Sequence, residues 1–241
     1  MEDKVQGVVL QSVRYGDTSL VVKVYTRHAG LQSYMVKGVN GKNLRNKAAF
    51  FQPLTMLRFV QSGNPNRAGL GYLRDVELDY AYRSIPGSIE KSAVFIYLAE
   101  LLAHTLVQQE RNESLFQFVR QSLQWLDLVE GGYANFPIFF TLELSRHLGF
   151  YPQANYCQGS VFDMTEGQFV MQTPPHPYCL DETQSAQLSC FLGLGLEDLS
   201  KVTLTGLQRS ELLDRIITFM RLHAPVLKGL QSHEVLNEIL R

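Results

Sequence analysis

A small five-stranded β-barrel followed by an all-helical domain, an α+β multidomain architecture, is the fold predicted for this 241-residue chain. Three observations carry that expectation. Hydrophobicity alternates with a period of two through about the first 80 residues and shifts to a period of 3.6 beyond residue 83. Turns bearing glycine, asparagine and proline cut the first part into short segments. The charge changes sign at the same point. Residues 1–83 hold 12 basic and 6 acidic side chains, a net +6, whereas residues 84–241 hold 10 and 17, a net −7, and together these give the chain's −1.

The elements follow in order. Residues 5–13 alternate loosely, and Tyr15-Gly16-Asp17 is a turn signal. Leu20–Arg27 is a second strand, with Leu20, Val22 and Val24 on one face and Lys23, Tyr25 and Arg27 on the other. His28-Ala29-Gly30 turns into a third strand, Leu31–Val39, carrying Tyr34 and Lys37. Residues 38–47 are polar, glycine-bearing and basic, an exposed loop. Leu54–Val60 and Leu70–Leu78 complete five strands, with the loop Ser62–Asn66 between them. Five short strands joined by basic loops fit a Greek-key barrel of the OB type over residues 1–82.

The helical domain, 83–241, has helices predicted at 88–107, 113–129 and 135–148, the last ending at Gly149 in the place of a left-handed cap. Thr205 and Gln208 form a capping box for a helix from 206 to 222 stopped by Pro225, and Ser232 is expected to cap a final short helix. Residues 150–181, rich in proline and glycine, read as a loop-rich insertion with a short hairpin.

Composition excludes several classes. With 45% hydrophobic, 19% charged and 11% aromatic residues the chain is not disordered. No apolar run reaches the roughly 18–20 residues that span a bilayer, and the acidic opening Met1-Glu2-Asp3-Lys4 is unlike a signal peptide. Three cysteines, Cys157, Cys179 and Cys190, do not pair into a disulfide framework, so a cytoplasmic setting is expected. Their single spacing also lacks the paired C-x₂-C pattern of structural zinc. The phosphate loop of nucleotide hydrolases is absent, Gly193-Leu194-Gly195 lacks a third glycine, and His147 suits the end of a helix dipole better than a general base. No cofactor and no enzymatic activity are expected.

The charge pattern points to function. Between Arg14 and Arg74 stand ten Lys or Arg residues against one acid, Asp17. Scattered solvated charges rarely reach that ratio. Binding a single strand without sequence preference requires a positive groove and aromatic faces. Lys23, Tyr25 and Arg27, with Tyr34 and Lys37 on the next strand, supply both, and Lys42, Arg45 and Lys47 can track a phosphate backbone. No helix-turn-helix or other base-edge reader is visible, so sequence-independent contact with phosphates is expected. DNA and RNA remain open alternatives at this level, the latter as a ribosome-associated OB-fold protein. In the helical domain Phe136, Phe139, Phe140, Leu144 and Phe150 lie beside Arg146, either as plain core or as an apolar pocket whose arginine captures an acidic peptide.

The residues Arg14–Leu20, Tyr25–Leu31, Val36-Lys37-Gly38, Gln52-Pro53-Leu54, Gly69–Glu77, Tyr97–Leu102, Leu142-Glu143-Leu144 and Leu148–Pro152 together resemble RecO, a family of bacterial DNA repair and recombination mediators. The resemblance implies an OB-fold domain, a helical domain and no bond chemistry. It implies binding of single- and double-stranded DNA, strand annealing, and cooperation with RecR in loading RecA onto DNA coated by single-stranded DNA-binding protein, whose acidic C-terminal tail is also recognised. A cytoplasmic, nucleoid-associated protein follows from it. The family's basic segment corresponds to Lys37, Lys42, Arg45 and Lys47. One departure stands out. Where many members carry a Cys-x-x-Cys-Gly zinc module, Asn155 and Gln158 occupy the cysteine positions before Gly159, Cys157 is one place out of register, and Cys179 has no partner cysteine. A degenerate, metal-free loop is expected.

Overall fold

The computed structural model describes residues 4–16, 19–37, 49–62, 70–107 and 110–240. Five strands, β1 (Val5–Tyr15), β2 (Ser19–Thr26), β3 (Gly30–Lys37), β4 (Met56–Ser62) and β5 (Gly71–Tyr80), close into a barrel of order β1-β2-β3-β5-β4. All neighbours are antiparallel except β3 and β5. That order and closure are those of an OB fold. The period of two explains the barrel core: Leu20, Val22 and Val24 alternate inward and pack with Val9, Tyr34, Phe51, Leu57 and Phe59.

Closure has local devices. Leu10 is the extra residue of a bulge in β1, between the pairs Val9–Val24 and Gln11–Lys23. Gly7 lies where β1 pairs with both β2 and β4, and a Cβ there would fall 2.4 Å from a methyl of Val24. Glycine is required by this close approach. Gly30 turns β2 into β3 at φ +65, while the Thr26 hydroxyl accepts from the Ala29 amide and donates to the Gly30 carbonyl.

The compact unit containing the barrel extends to Arg83 and also takes Ala99–Gln121. Those residues belong to helix α1 (Ile89–Thr105) and helix α2 (Glu113–Leu128), in part, and to the segment joining them. They cover part of the barrel: the Phe116 ring centroid lies 6.3 Å from that of Tyr25.

The second unit takes Ser84–Leu98 and Ser122–Arg241. At its centre is α3 (Phe136–Leu148), buried along Phe136, Ile138, Phe140, Leu142 and Leu144 and ended by Gly149 at φ +91. Helices α4 (Glu182–Ser189), α5 (Gly206–His223) and α6 (Ser232–Ile239) complete it. The capping box of Thr205 and Gln208 starts α5 with both reciprocal hydrogen bonds formed. The last helix begins differently from expectation: Gln231 is its N-cap and Ser232 already its first residue. Burial pushes the His147 imidazole, in the last turn of α3, down from its ordinary value, opposed by the charge of Glu143.

The insertion contains the hairpin β6 (Val161–Asp163) and β7 (Gln168–Val170), packed through Phe162, Phe169 and Phe219. A buried lysine ties residues 84–91 to the end of α2. The Lys91 ammonium donates to the carbonyls of Val129 (2.6 Å) and Asp127 (3.2 Å), and the Asp127 carboxylate accepts from the Ser84 and Ile85 amides. Burial lowers the Lys91 pKa, opposed by the charge of Asp127. Among the described residues no helix is long and apolar enough to cross a membrane.

Candidate nucleic-acid interface

Register places the outward side chains of four strands in three rows, because directly paired residues share a face. Tyr15, Ser19 and Lys37 form one row; Val13, Val21, Met35 and Tyr72 form the next; Gln11, Lys23 and Ser33 form the third. Tyr15, Val13 and Tyr72 are 62%, 54% and 40% exposed. The Lys37 ammonium lies 4.9 Å over the Tyr72 ring. Among the described residues, neither Lys23 nor Lys37 has a carboxylate within ion-pair distance. The result is a cationic face with an apolar, aromatic floor.

Two of the expected rings are elsewhere. Tyr34 points into the barrel, opposite Val22, edge-to-face with Phe59 at 5.3 Å, and its hydroxyl reaches Gln61 at 3.1 Å. Tyr25 does lie on the outer side of β2, but α2 and the residues before it cover it, and its hydroxyl donates to the Asn112 carbonyl at 3.3 Å. Both tyrosines are fully buried, and burial pushes both phenols up to about 12. Neither offers a surface to a base. This corrects the expectation for Tyr25 and Tyr34; among the described residues of this face the exposed rings are Tyr15 and Tyr72.

Arg27 is half-exposed but committed, its guanidinium forked onto Glu113 at 2.8 and 2.5 Å. The hydrogen bond from Arg27 holds the Glu113 carboxyl below its usual range. On the far side of the barrel Arg58 pairs with Asp79 at 2.6 Å, Arg120 meets the same carboxylate at 3.1 Å, and Lys4 meets Glu77 at 2.9 Å. Lys42, Arg45 and Lys47 fall outside the described residues.

In the helical unit, Phe136, Phe139, Phe140 and Leu144 are buried core. Arg146 sits outside them, its guanidinium bound to Glu143 at 2.9 and 3.1 Å and stacked 3.6 Å above Tyr151. It faces no apolar pocket of those rings. An apolar groove of about 510 Å³ does open in this unit, at a distance in sequence, between Ile89 and Ile96 of α1 and Val235 and Ile239 of α6.

The Asn155 amide donates to the Phe169 carbonyl at 3.1 Å, and its oxygen accepts from the Phe169 amide at 3.0 Å, so a side chain ties the loop to β7. Cys157 and Cys190 are exposed, and all three thiols are free. Among the described residues no three His, Cys, Asp or Glu side chains converge as a metal site.

A closed barrel in this strand order with a one-sided cationic face, continued by a helical unit, defines the class: an OB-fold protein with a helical C-terminal part. The family described as "Recombination protein O N terminal" matches residues 1–82, and "Recombination protein O C terminal" matches residues 86–230. The chain belongs to the RecO family, whose function lies in DNA repair and recombination. It is 31% identical over 240 residues to the DNA repair protein RecO of Phocaeicola vulgatus, covering 99% of each chain. It is 32% identical over 241 residues to that of Flavobacterium psychrophilum, again covering 99% of each, and 32% identical over 237 residues to that of Christiangramia forsetii, covering 97% of each.

Proposed function

We propose that the chain is a recombination mediator without bond chemistry of its own. It binds single- and double-stranded DNA through the outer face of β1-β2-β3-β5 and through Lys42, Arg45 and Lys47, and anneals complementary strands. With RecR it helps RecA load onto DNA coated by single-stranded DNA-binding protein. Family membership supports the partners. The observation that carries the DNA contact is the division of charge on the barrel: Lys23 and Lys37 lie on one open face, while Lys4, Arg27, Arg58 and Arg120 are engaged by Glu77, Asp79 and Glu113. Cations close to two strands at once screen phosphate repulsion, and annealing needs no more than that. In this reading the helical unit takes the acidic tail of the single-stranded DNA-binding protein. Arg146 is the weaker part of it, because its fork already holds Glu143.

The test is fluorescence anisotropy of labelled single-stranded DNA across a salt series. Binding should weaken with log salt at about −0.7 per phosphate neutralised on a single strand. Replacing Lys42, Arg45 and Lys47 together by Ala should flatten the slope and weaken binding, and competition with a matched RNA separates the DNA reading from an RNA-binding one. No affinity in dilute buffer would end the proposal.

A further inference from the structure

We propose that Tyr15 and Tyr72 are base-stacking residues that make the outer barrel face selective for unpaired strands. This rests on the DNA-binding reading above and adds to it a strand type and two residues.

The two rings are the aromatic side chains that register brings onto the exposed face, Tyr15 from β1 and Tyr72 from β5. They stand at opposite edges of the four strands, three strand spacings apart, roughly 14 Å along the sheet. Between them the floor is apolar, formed by Val13, Val21 and Met35, with Lys23 and Lys37 on the flanking rows. An exposed ring over an apolar floor gains little from water and much from a base laid flat on it. Stacking of this kind is worth about 1–3 kcal/mol per base, whatever the base.

Charge and ring are coupled at Tyr72. The Lys37 ammonium sits 4.9 Å over one face of that ring, so a nucleotide whose phosphate draws the ammonium off the ring leaves that face to its own base. At Tyr15 the row continues through Ser19 to the same Lys37. A duplex can satisfy the lysines but not the rings, because each of its bases is already stacked at a rise of about 3.4 Å and paired at its edge. Phosphate attraction on this face therefore serves both forms of DNA, and the tyrosines serve one.

The experiment compares three probes of equal length on the full chain: labelled oligothymidine, the corresponding abasic oligonucleotide, and a blunt duplex. Tyr15→Ala and Tyr72→Ala should each weaken oligothymidine binding roughly tenfold, with the abasic strand and the duplex unchanged. Tyr15→Phe and Tyr72→Phe should retain affinity, since the ring and not the hydroxyl does the stacking. Near-ultraviolet circular dichroism checks that the barrel is intact. As a second readout, Tyr15→Trp should lose fluorescence on addition of oligothymidine and keep it with the abasic strand. Equal binding by the alanine variants, or an equal loss on the abasic strand, would overturn the stacking role. Lys23→Ala with Lys37→Ala separates the two layers: weakening on all three probes keeps the DNA-binding reading even where the tyrosines fail, and weakening on none removes both.

Discussion

The two sides of the barrel carry similar numbers of cations and use them differently. Around β4 and the end of β5, Arg58, Arg120 and Lys4 share Asp79 and Glu77, a cluster in which each charge is compensated by a neighbour. Across the barrel, Lys23 and Lys37 stand over an apolar floor, and among the described residues no acid lies within ion-pair distance of either. A cation already held by a carboxylate must give up that contact to take a phosphate, so its net contribution to binding is small. The count of basic residues along the chain overstates the electrostatic footprint, and the register of strands corrects it.

That comparison can be tested at several strengths. The largest effect is expected from the barrel itself. Gly7→Ala would drive a methyl to 2.4 Å from Val24, with Phe59 and the Tyr25 carbonyl also within 3.4 Å, at a strand junction with no room to yield. Overpacking of this sort costs about 2–3 kcal/mol, measurable as a lowered denaturant midpoint, and both faces should lose their order together. An unchanged midpoint would mean the junction is looser than described.

Next comes Lys23→Ala with Lys37→Ala, which removes two of the open charges. It should weaken single-strand binding roughly twentyfold at 0.1 M salt and reduce the salt slope by about 1.4. The matched control on the other side, Lys4→Ala with Arg58→Ala, removes two cations already held by Glu77 and Asp79 and should leave the slope where it is. Equal slopes for the two double variants would dissolve the distinction between faces.

Tyr25→Phe sharpens the contrast between buried and exposed rings. Losing the hydrogen bond to Asn112 should cost about 1 kcal/mol in stability and leave DNA affinity alone, the reverse of what Tyr15→Ala should do. The smallest signal concerns protonation. Glu113 is held below the usual carboxylate range by Arg27, so the pair contributes stability above the unfolded pKa of a glutamate and loses it as pH falls through the lowered value. In Arg27→Ala the Glu113 titration followed by NMR should move upward. No movement would show that the fork does not persist in solution.

Much of the fold was legible from residue order. Alternation gave five strands with ends within a few positions of those observed, and Thr205, Gln208 and Gly149 marked helix ends where they occur. The aromatic floor was not legible, for two different reasons. Tyr34 and Lys37 are three residues apart, so a period of two already sets them on opposite faces; grouping them as neighbours ignored parity. Tyr25 has the correct parity and is covered by residues near 112–116, a tertiary contact that no local pattern announces. Tyr15 reads as part of a turn because Gly16 follows it, and its row depends on the bulge at Leu10, which no local pattern marks.

The helical strap from Ala99 to Gln121 bears on how fragments of this chain should be cut. Severing it at residue 83 would strip the lid from Tyr25, unseat Arg27 from Glu113 and take Arg120 from Asp79, a carboxylate only 3% exposed. An oligonucleotide-binding module trimmed to its strands alone would therefore present a fresh sticky surface and liberated guanidinium groups. Any affinity it displayed would belong partly to the scissors.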